Sequence, residues 1–173
     1  MRTLTLCGFL LLAAGQAVGD TLKATVVGIA DGDTVTVLDS AKQQHKIRLM
    51  GIDAPEKAQA FGNRSKQSLS TLAYGQTVSV EWRKTDRYGR LVGKLLSAKG
   101  TDINLEQVKR GMAWHYKDYQ REQPPEDRAS YAAAEEDARE SRRGLWADPN
   151  PLAPWLFRKA KKYGVEGTAP GDN

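Results

Sequence analysis

The chain has 173 residues, 26 Lys and Arg against 21 Asp and Glu, a net charge of +5 and 40% hydrophobic residues. That length fits one domain and argues against a two-domain cofactor enzyme, while four Trp and six Tyr supply a core incompatible with wholesale disorder. A single cysteine excludes an internal disulfide and thiolate-rich zinc clusters; the positive balance points only to an anionic partner, nucleic acid or a membrane surface.

Residues 1–19 read as a signal peptide. Arg2 gives a short positive start, residues 4–14 (LTLCGFLLLAA) form an uncharged apolar run, and Ala17, Val18 and Gly19 supply small residues for cleavage after Ala17 or Gly19. The run is too short to anchor in a bilayer, so no stable membrane anchor is expected after cleavage. Cys7 lies early in the run rather than beside the cleavage site, which argues against a lipoprotein. Its removal would leave an exported chain with no cysteine. The expected location is secreted or periplasmic, with a domain over residues 20–160, a flexible tail over 161–173, and a monomeric state.

From residue 21 to about 96 the pattern has period two. Strands are predicted at 23–29, 34–38, 45–50, 77–82 and 91–96, with a turn at Asp31-Gly32-Asp33 and another at residues 86–89. An amphipathic helix is predicted over 57–73, ended by Gly75. The second half is helical at 102–111 and 126–143, and Pro149, Pro151 and Pro154 are expected to prevent a regular continuation. The fold class is α+β: a five-stranded barrel with about three helices.

Three clusters carry chemistry. In residues 47–56 (IRLMGIDAPE), alternation puts Ile47 and Leu49 on one face and Arg48 on the other, and the following turn presents Asp53 and Glu56 around a proline. Alone, that is a surface ion pair after a strand. Residues 31–34 (DGDT) suit a tight hairpin turn, but Asp33 and Asp53 together would suit a hard cation, Ca²⁺ or Mg²⁺, with waters completing the shell. Residues 86–90 (DRYGR) are a charged turn in which Arg90 offers a planar fork of donors to a phosphate. Arginines, paired carboxylates and a further glutamate are the inventory of phosphodiester hydrolysis.

The ordered combination DGDT, RLMGIDAPE and DRYGR resembles the staphylococcal nuclease (thermonuclease) family, and the likeness continues to Leu145 and Trp146. The resemblance implies an OB-fold barrel. It also implies Arg48, Glu56 and Arg90 as catalytic residues, and Asp33, Asp53 and the backbone carbonyl of Ala54 as Ca²⁺ ligands. Ala54 stands where the best-known member has threonine, which leaves the carbonyl but no hydroxyl. Arg87 and Tyr88 fall where the family contacts the nucleotide, Tyr119 matches a nucleotide-side tyrosine, and Lys117 stands where another tyrosine is expected. The implied activity is Ca²⁺-dependent hydrolysis of DNA and RNA with little sequence preference, leaving 3′-phosphate ends.

His45 and His115 lie outside these motifs and are expected in ordinary strand or loop positions. Trp82, Trp114 and Trp146 are expected to pack rather than stack on bases, and the basic runs at 142–143 and 158–162 to be solvated charge. A non-catalytic nucleic-acid-binding OB module is the alternative, but a degenerate module should lose Arg48, Glu56 or Arg90. A Ca²⁺-binding structural protein would leave both arginines without a role.

Overall fold

The computed structural model describes residues 20–164. The signal segment and residues 165–173 of the expected tail lie outside the described residues. Five strands close into a barrel: β1 (Asp20–Ile29), β2 (Thr34–Asp39), β3 (Gln44–Leu49), β6 (Leu91–Ser97) and β5 (Thr77–Thr85), in that spatial order. Every pairing is antiparallel except β3 with β6. Alternating valine, isoleucine and leucine form the interior, with Val26, Val35, Val37, Ile47, Leu49, Val78, Val80 and Leu95 all buried. All five predicted strands are present, and the OB-type barrel is the observed architecture.

The β3–β6 seam is short, pairing only Ile47 to Leu91 through Leu49 to Gly93. Asn104, on helix α2 (Ile103–Lys109), closes its end: the side-chain amide donates to Met50 O and Gly93 O and accepts from Leu95 N. A fully buried amide that spends its donors and its acceptor on backbone adds order rather than a desolvation penalty. Helix α1 (Gly62–Ala73) and helix α3 (Pro125–Glu140) bury Leu69, Ala73, Tyr131 and Ala134 against the same core. A two-residue sheet, β4 (Ile52–Asp53) with β7 (Trp114–His115), ties the chain after β3 to the helical half.

Helix boundaries correct several expectations. Residues 57–61 are turns, so α1 starts at Gly62, and α3 ends at Glu140 before Arg142 turns to positive φ. Pro149 and Pro151 lie in irregular chain, as expected, but Pro154 does not prevent a further helix. A fourth helix, α4 (Pro154–Lys162), begins on Pro154 itself, because a proline at the first helical position loses only an N–H that has no partner there anyway. The segment expected as a tail from residue 161 therefore begins inside α4. Trp155 fixes this helix: its ring stacks on Tyr116 at 5.4 Å and 11° and meets Trp114 edge-on at 5.4 Å.

The turn between β1 and β2 rests on α1 without clearance. A Cβ on Gly32 would stand 1.8 Å from Ser65 Oγ and 2.7 Å from Ala54 Cβ, while Gln107 Nε2 donates to Gly32 O at 2.8 Å from below. Gly32→Ala is expected to cost about 1–3 kcal/mol by overpacking. Urea unfolding reads this as a lower midpoint with an unchanged slope.

Candidate active site

The barrel's register assembles the site. Thr34 pairs with Arg48 across β2 and β3, and Leu49 N donates to Asp33 O at 2.8 Å, so the DGDT turn lies beside Arg48. Gly51, at φ 77, turns the chain, and Asp53 enters β4 opposite Trp114. Asp33 and Asp53 are thereby brought to either end of one guanidinium. Arg48 Nη1 is 3.0 Å from Asp33 Oδ2, and Nη2 donates to Asp53 Oδ1 at 2.9 Å. Nη1 also donates to Ile52 O at 2.9 Å and Leu49 O at 3.2 Å.

Asp33 is further fixed by two donors, Ala54 N to Oδ2 at 2.7 Å and Thr34 Oγ1 to Oδ1 at 3.0 Å. The Ala54 methyl is buried, so its contribution to this site is made through its backbone. Asp53 is 1% exposed, and burial pushes its carboxyl above the ordinary carboxylate range. The hydrogen bond from Arg158 and the charge of Arg48 oppose that push without cancelling it.

Arg158 is the residue that sequence reasoning missed. It reaches from α4, where Nη1 donates to Asp53 Oδ1 at 3.1 Å and Glu56 Oε1 at 2.8 Å, and Nη2 donates to Asp53 Oδ2 at 2.7 Å. Burial works against its charge, but the bonds to Asp53 and Glu56 outweigh it and raise its pKa above the ordinary arginine value. The only sequence signal was the basic run at residues 158–162, and its helical spacing was hidden by the proline before it.

Asp31 completes the carboxylate group. Its Oδ1 accepts from Asp33 N at 3.0 Å, and burial together with the Asp33 carboxylate pushes its pKa to about 6. Asp31, Asp33, Asp53 and Glu56 thus face two arginines, Arg48 and Arg158. That count leaves a deficit of positive charge, and the donors on offer are carboxylate and carbonyl oxygens, which suit a hard divalent cation. Among the described residues no three His, Cys, Asp or Glu side chains form a ready cage. Asp33, Asp53 and the Ala54 carbonyl, the set that the sequence resemblance implies, could hold such an ion with water completing the shell.

Arg90, Arg87 and Tyr88 occupy a separate unit, the turn between β5 and β6. Asp86 organises it, accepting from Tyr88 N at 2.9 Å, Arg90 N at 3.0 Å and Arg90 Nε at 2.7 Å. Arg87 and Arg90 lie 4.9 and 5.4 Å from the centre of the exposed Tyr88 ring. Arg90 immediately precedes Leu91, the first residue of β6, and Val92 is the partner of Arg48, so Arg90 lies two positions before the residue paired with Arg48. Tyr119 is half-exposed, next to Tyr116 and with Lys84 Nζ 5.6 Å from its ring centre. Lys117 is committed elsewhere, to Glu135 Oε2 at 2.5 Å.

The histidines are structural. His45 pairs with Asp39 at 2.8 Å. His115 lies buried in β7, bonded to Gln123 at 2.9 Å, and burial pushes its pKa down, which keeps it neutral. Trp114 and Trp146 pack edge-on at 4.3 Å, as expected of core residues, and Trp82 packs against the barrel core.

Comparison with known proteins gives a consistent picture. Residues 46–148 match the family described as staphylococcal nuclease homologue. A Haemophilus influenzae protein named as an uncharacterized endonuclease is 44% identical over 140 residues, 81% of this chain and 75% of that protein. A Shigella flexneri micrococcal nuclease is 42% identical over 148 residues, 81% of this chain and 82% of its own. The Arabidopsis thaliana staphylococcal-like nuclease CAN1 is 38% identical over 122 residues, 70% of this chain but only 36% of its own.

The crowding at Asp31 has a measurable consequence. Its folded pKa, about 6, lies above the ordinary 3.8, so the folded state keeps a proton there that the unfolded chain has already lost. Stability from this group is present below pH 4 and is lost as pH rises through 6. Asp31→Asn keeps the oxygen that accepts from Asp33 N and removes the charge. In chelator at pH 7 it is expected to raise stability by about 1–2 kcal/mol, with screening of a partly exposed carboxyl allowed for. The gain should vanish below pH 4 in urea titrations.

Proposed function

The chain belongs to the staphylococcal nuclease family, and we propose that it is an exported, Ca²⁺-dependent endonuclease that hydrolyses phosphodiester bonds of DNA and RNA with little sequence preference. The observation that carries this reading is the single fork of Arg48 holding Asp33 and Asp53 beside Glu56. It is a phosphate-binding cation set among oxygen ligands, at the residues where the family places its chemistry. A uniformly basic binding face would have no use for four clustered carboxylates.

Asp33, Asp53 and the Ala54 carbonyl would hold the Ca²⁺. When bound, the ion supplies positive charge to the phosphate and lowers the cost of activating water. Glu56 has its Oε1 occupied by Arg158 and its Oε2 available to accept a proton from water in line with the scissile bond. Arg48 spends Nη1 and one Nη2 hydrogen on carbonyls and carboxylates, which leaves Nε–H and the other Nη2–H for a phosphate oxygen. Arg90 would stabilise charge on the phosphate and the departing 5′ oxygen, leaving a 3′-phosphate end. Arg87, Tyr88 and Tyr119 would hold the nucleotide by charge and stacking, which reads no base edge and so gives no sequence preference.

Digestion of single- and double-stranded DNA and of RNA by the purified chain tests this reading. Cleavage is expected in Ca²⁺ and none in excess chelator; folded protein that binds DNA but never cuts it would instead be the non-catalytic module. Glu56→Gln is expected to lower kcat by about 10²–10⁴-fold while DNA affinity in chelator changes less than about threefold. Equal losses in both would make Glu56 a binding residue. Export is read separately, by intact mass of the protein recovered outside the cytoplasm, which is expected to begin at Val18 or Asp20.

A further inference from the structure

A cleft of about 280 Å³ lies beside the site, between α4 and the turn after Asp53, lined by Glu56, Lys57, Ala58, Phe157, Arg158 and Lys161. We propose that this cleft is a subsite for the phosphate adjoining the scissile one, held by Lys57, Lys161 and the unused donors of Arg158. The proposal rests on the nuclease reading and extends it to a helix that none of the sequence motifs reaches.

Four observations carry it. First, the charge is one-sided: the walls bring three cations and one carboxylate, and that carboxylate, Glu56, is already bonded to Arg158 at 2.8 Å. Second, Arg158 has capacity left. Its two Nη1 hydrogens and one Nη2 hydrogen serve Asp53 and Glu56, so Nε–H and the other Nη2–H are free for an anion, and the side chain is 42% exposed. A guanidinium can therefore join the carboxylates of the reacting centre to a neighbouring phosphate.

Third, the helix presents these groups together. Arg158 and Lys161 are three residues apart and Phe157 and Lys161 four apart, so all three share one face of α4. The anchor of that helix is independent of them, being Trp155 against Tyr116 and Trp114, with Ala153 and Pro154 buried. The basic face is thus held in place before any ligand arrives. Fourth, Glu56 is both a wall of the cleft and a member of the reacting centre. A phosphate seated here is one linkage from the bond being cut, with the half-buried Phe157 ring offering an apolar surface to a sugar or base.

The test compares the wild type with the Lys57→Ala/Lys161→Ala double variant, whose substituted positions are both exposed and outside the core. Binding of a single-stranded octanucleotide is measured in chelator over a range of salt. The double variant is expected to lose about 0.7 from the log–log salt slope for each lysine. An unchanged slope overturns the proposal. Cleavage in Ca²⁺ is then measured on oligonucleotides whose linkages flanking one central phosphodiester are neutral methylphosphonates. Restoring the charged phosphate on one side is expected to raise kcat/KM about 5–10-fold for the wild type and less than twofold for the double variant. The same gain in both proteins, on either side, overturns it. If the wild type cuts neither these substrates nor unmodified DNA, the nuclease reading fails instead; wherever the modified substrates go uncut, the salt slope alone decides whether the cleft binds a phosphate backbone.

Discussion

The structure depends on one half-buried fork. Arg48 joins Asp33, on the turn before β2, to Asp53, on the strand after β3, and adds two backbone carbonyls of the intervening turn. Without that guanidinium, two carboxylates exposed by less than a tenth would lose the one cation they share, and their mutual repulsion would go unopposed on that side. With it, the β2–β3 register and the geometry of the carboxylates become the same fact. Thr34 opposite Arg48 is both a rung of the barrel and the condition for the site.

The helical half serves this arrangement rather than standing apart from it. Asn104 seals the short parallel seam beside Arg48, and Gln107, three residues along α2, supports the turn that carries Asp31 and Asp33. Strand β7 pairs with β4 and so sets the height of Asp53, while His115 and Glu135 lock β7 to α3 through a buried bond of 3.0 Å. Asn104, Gln107 and Glu135 each satisfy backbone groups that strand pairing leaves open around the site. That is the usual condition under which a protein retains buried amides.

What was legible in the sequence follows from how local its cause is. Period-two alternation is a local property, so all five strands could be read, and the Arg48 side chain could be assigned to the outer face from Ile47 and Leu49 alone. The grouping of DGDT with RLMGIDAPE was legible from their order and family likeness, although no spacing rule predicts that a single arginine bridges them. Arg158 was not legible. Its partners lie 105 and 102 residues earlier in the chain, and the residues around it look like ordinary solvated charge. Pro154 looks like a stop in the sequence and is a start in the structure, because the same missing N–H that breaks a helix inside is harmless at its first position. In the sequence Asp31 is half of a turn signal, and only its burial against Asp33 marks it as more than that.

The net charge of +5 acquires a definite layout from this geometry. Positive residues lie on the rim, in the β5–β6 turn and along α4, while the centre is acidic and is held together by arginines whose donors are divided between carboxylates and whatever anion arrives. A guanidinium has a fixed number of N–H groups. Each one committed to Asp33, Asp53 or Glu56 is unavailable to a phosphate, and each one left free is a place for an oxygen to bind. Lysine could not divide itself in this way, since its single compact ammonium lacks the planar fork that reaches two acceptors in fixed directions. The choice of arginine at both positions 48 and 158 is therefore a consequence of asking one side chain to hold a crowded acidic centre together and still keep donors for a further anion.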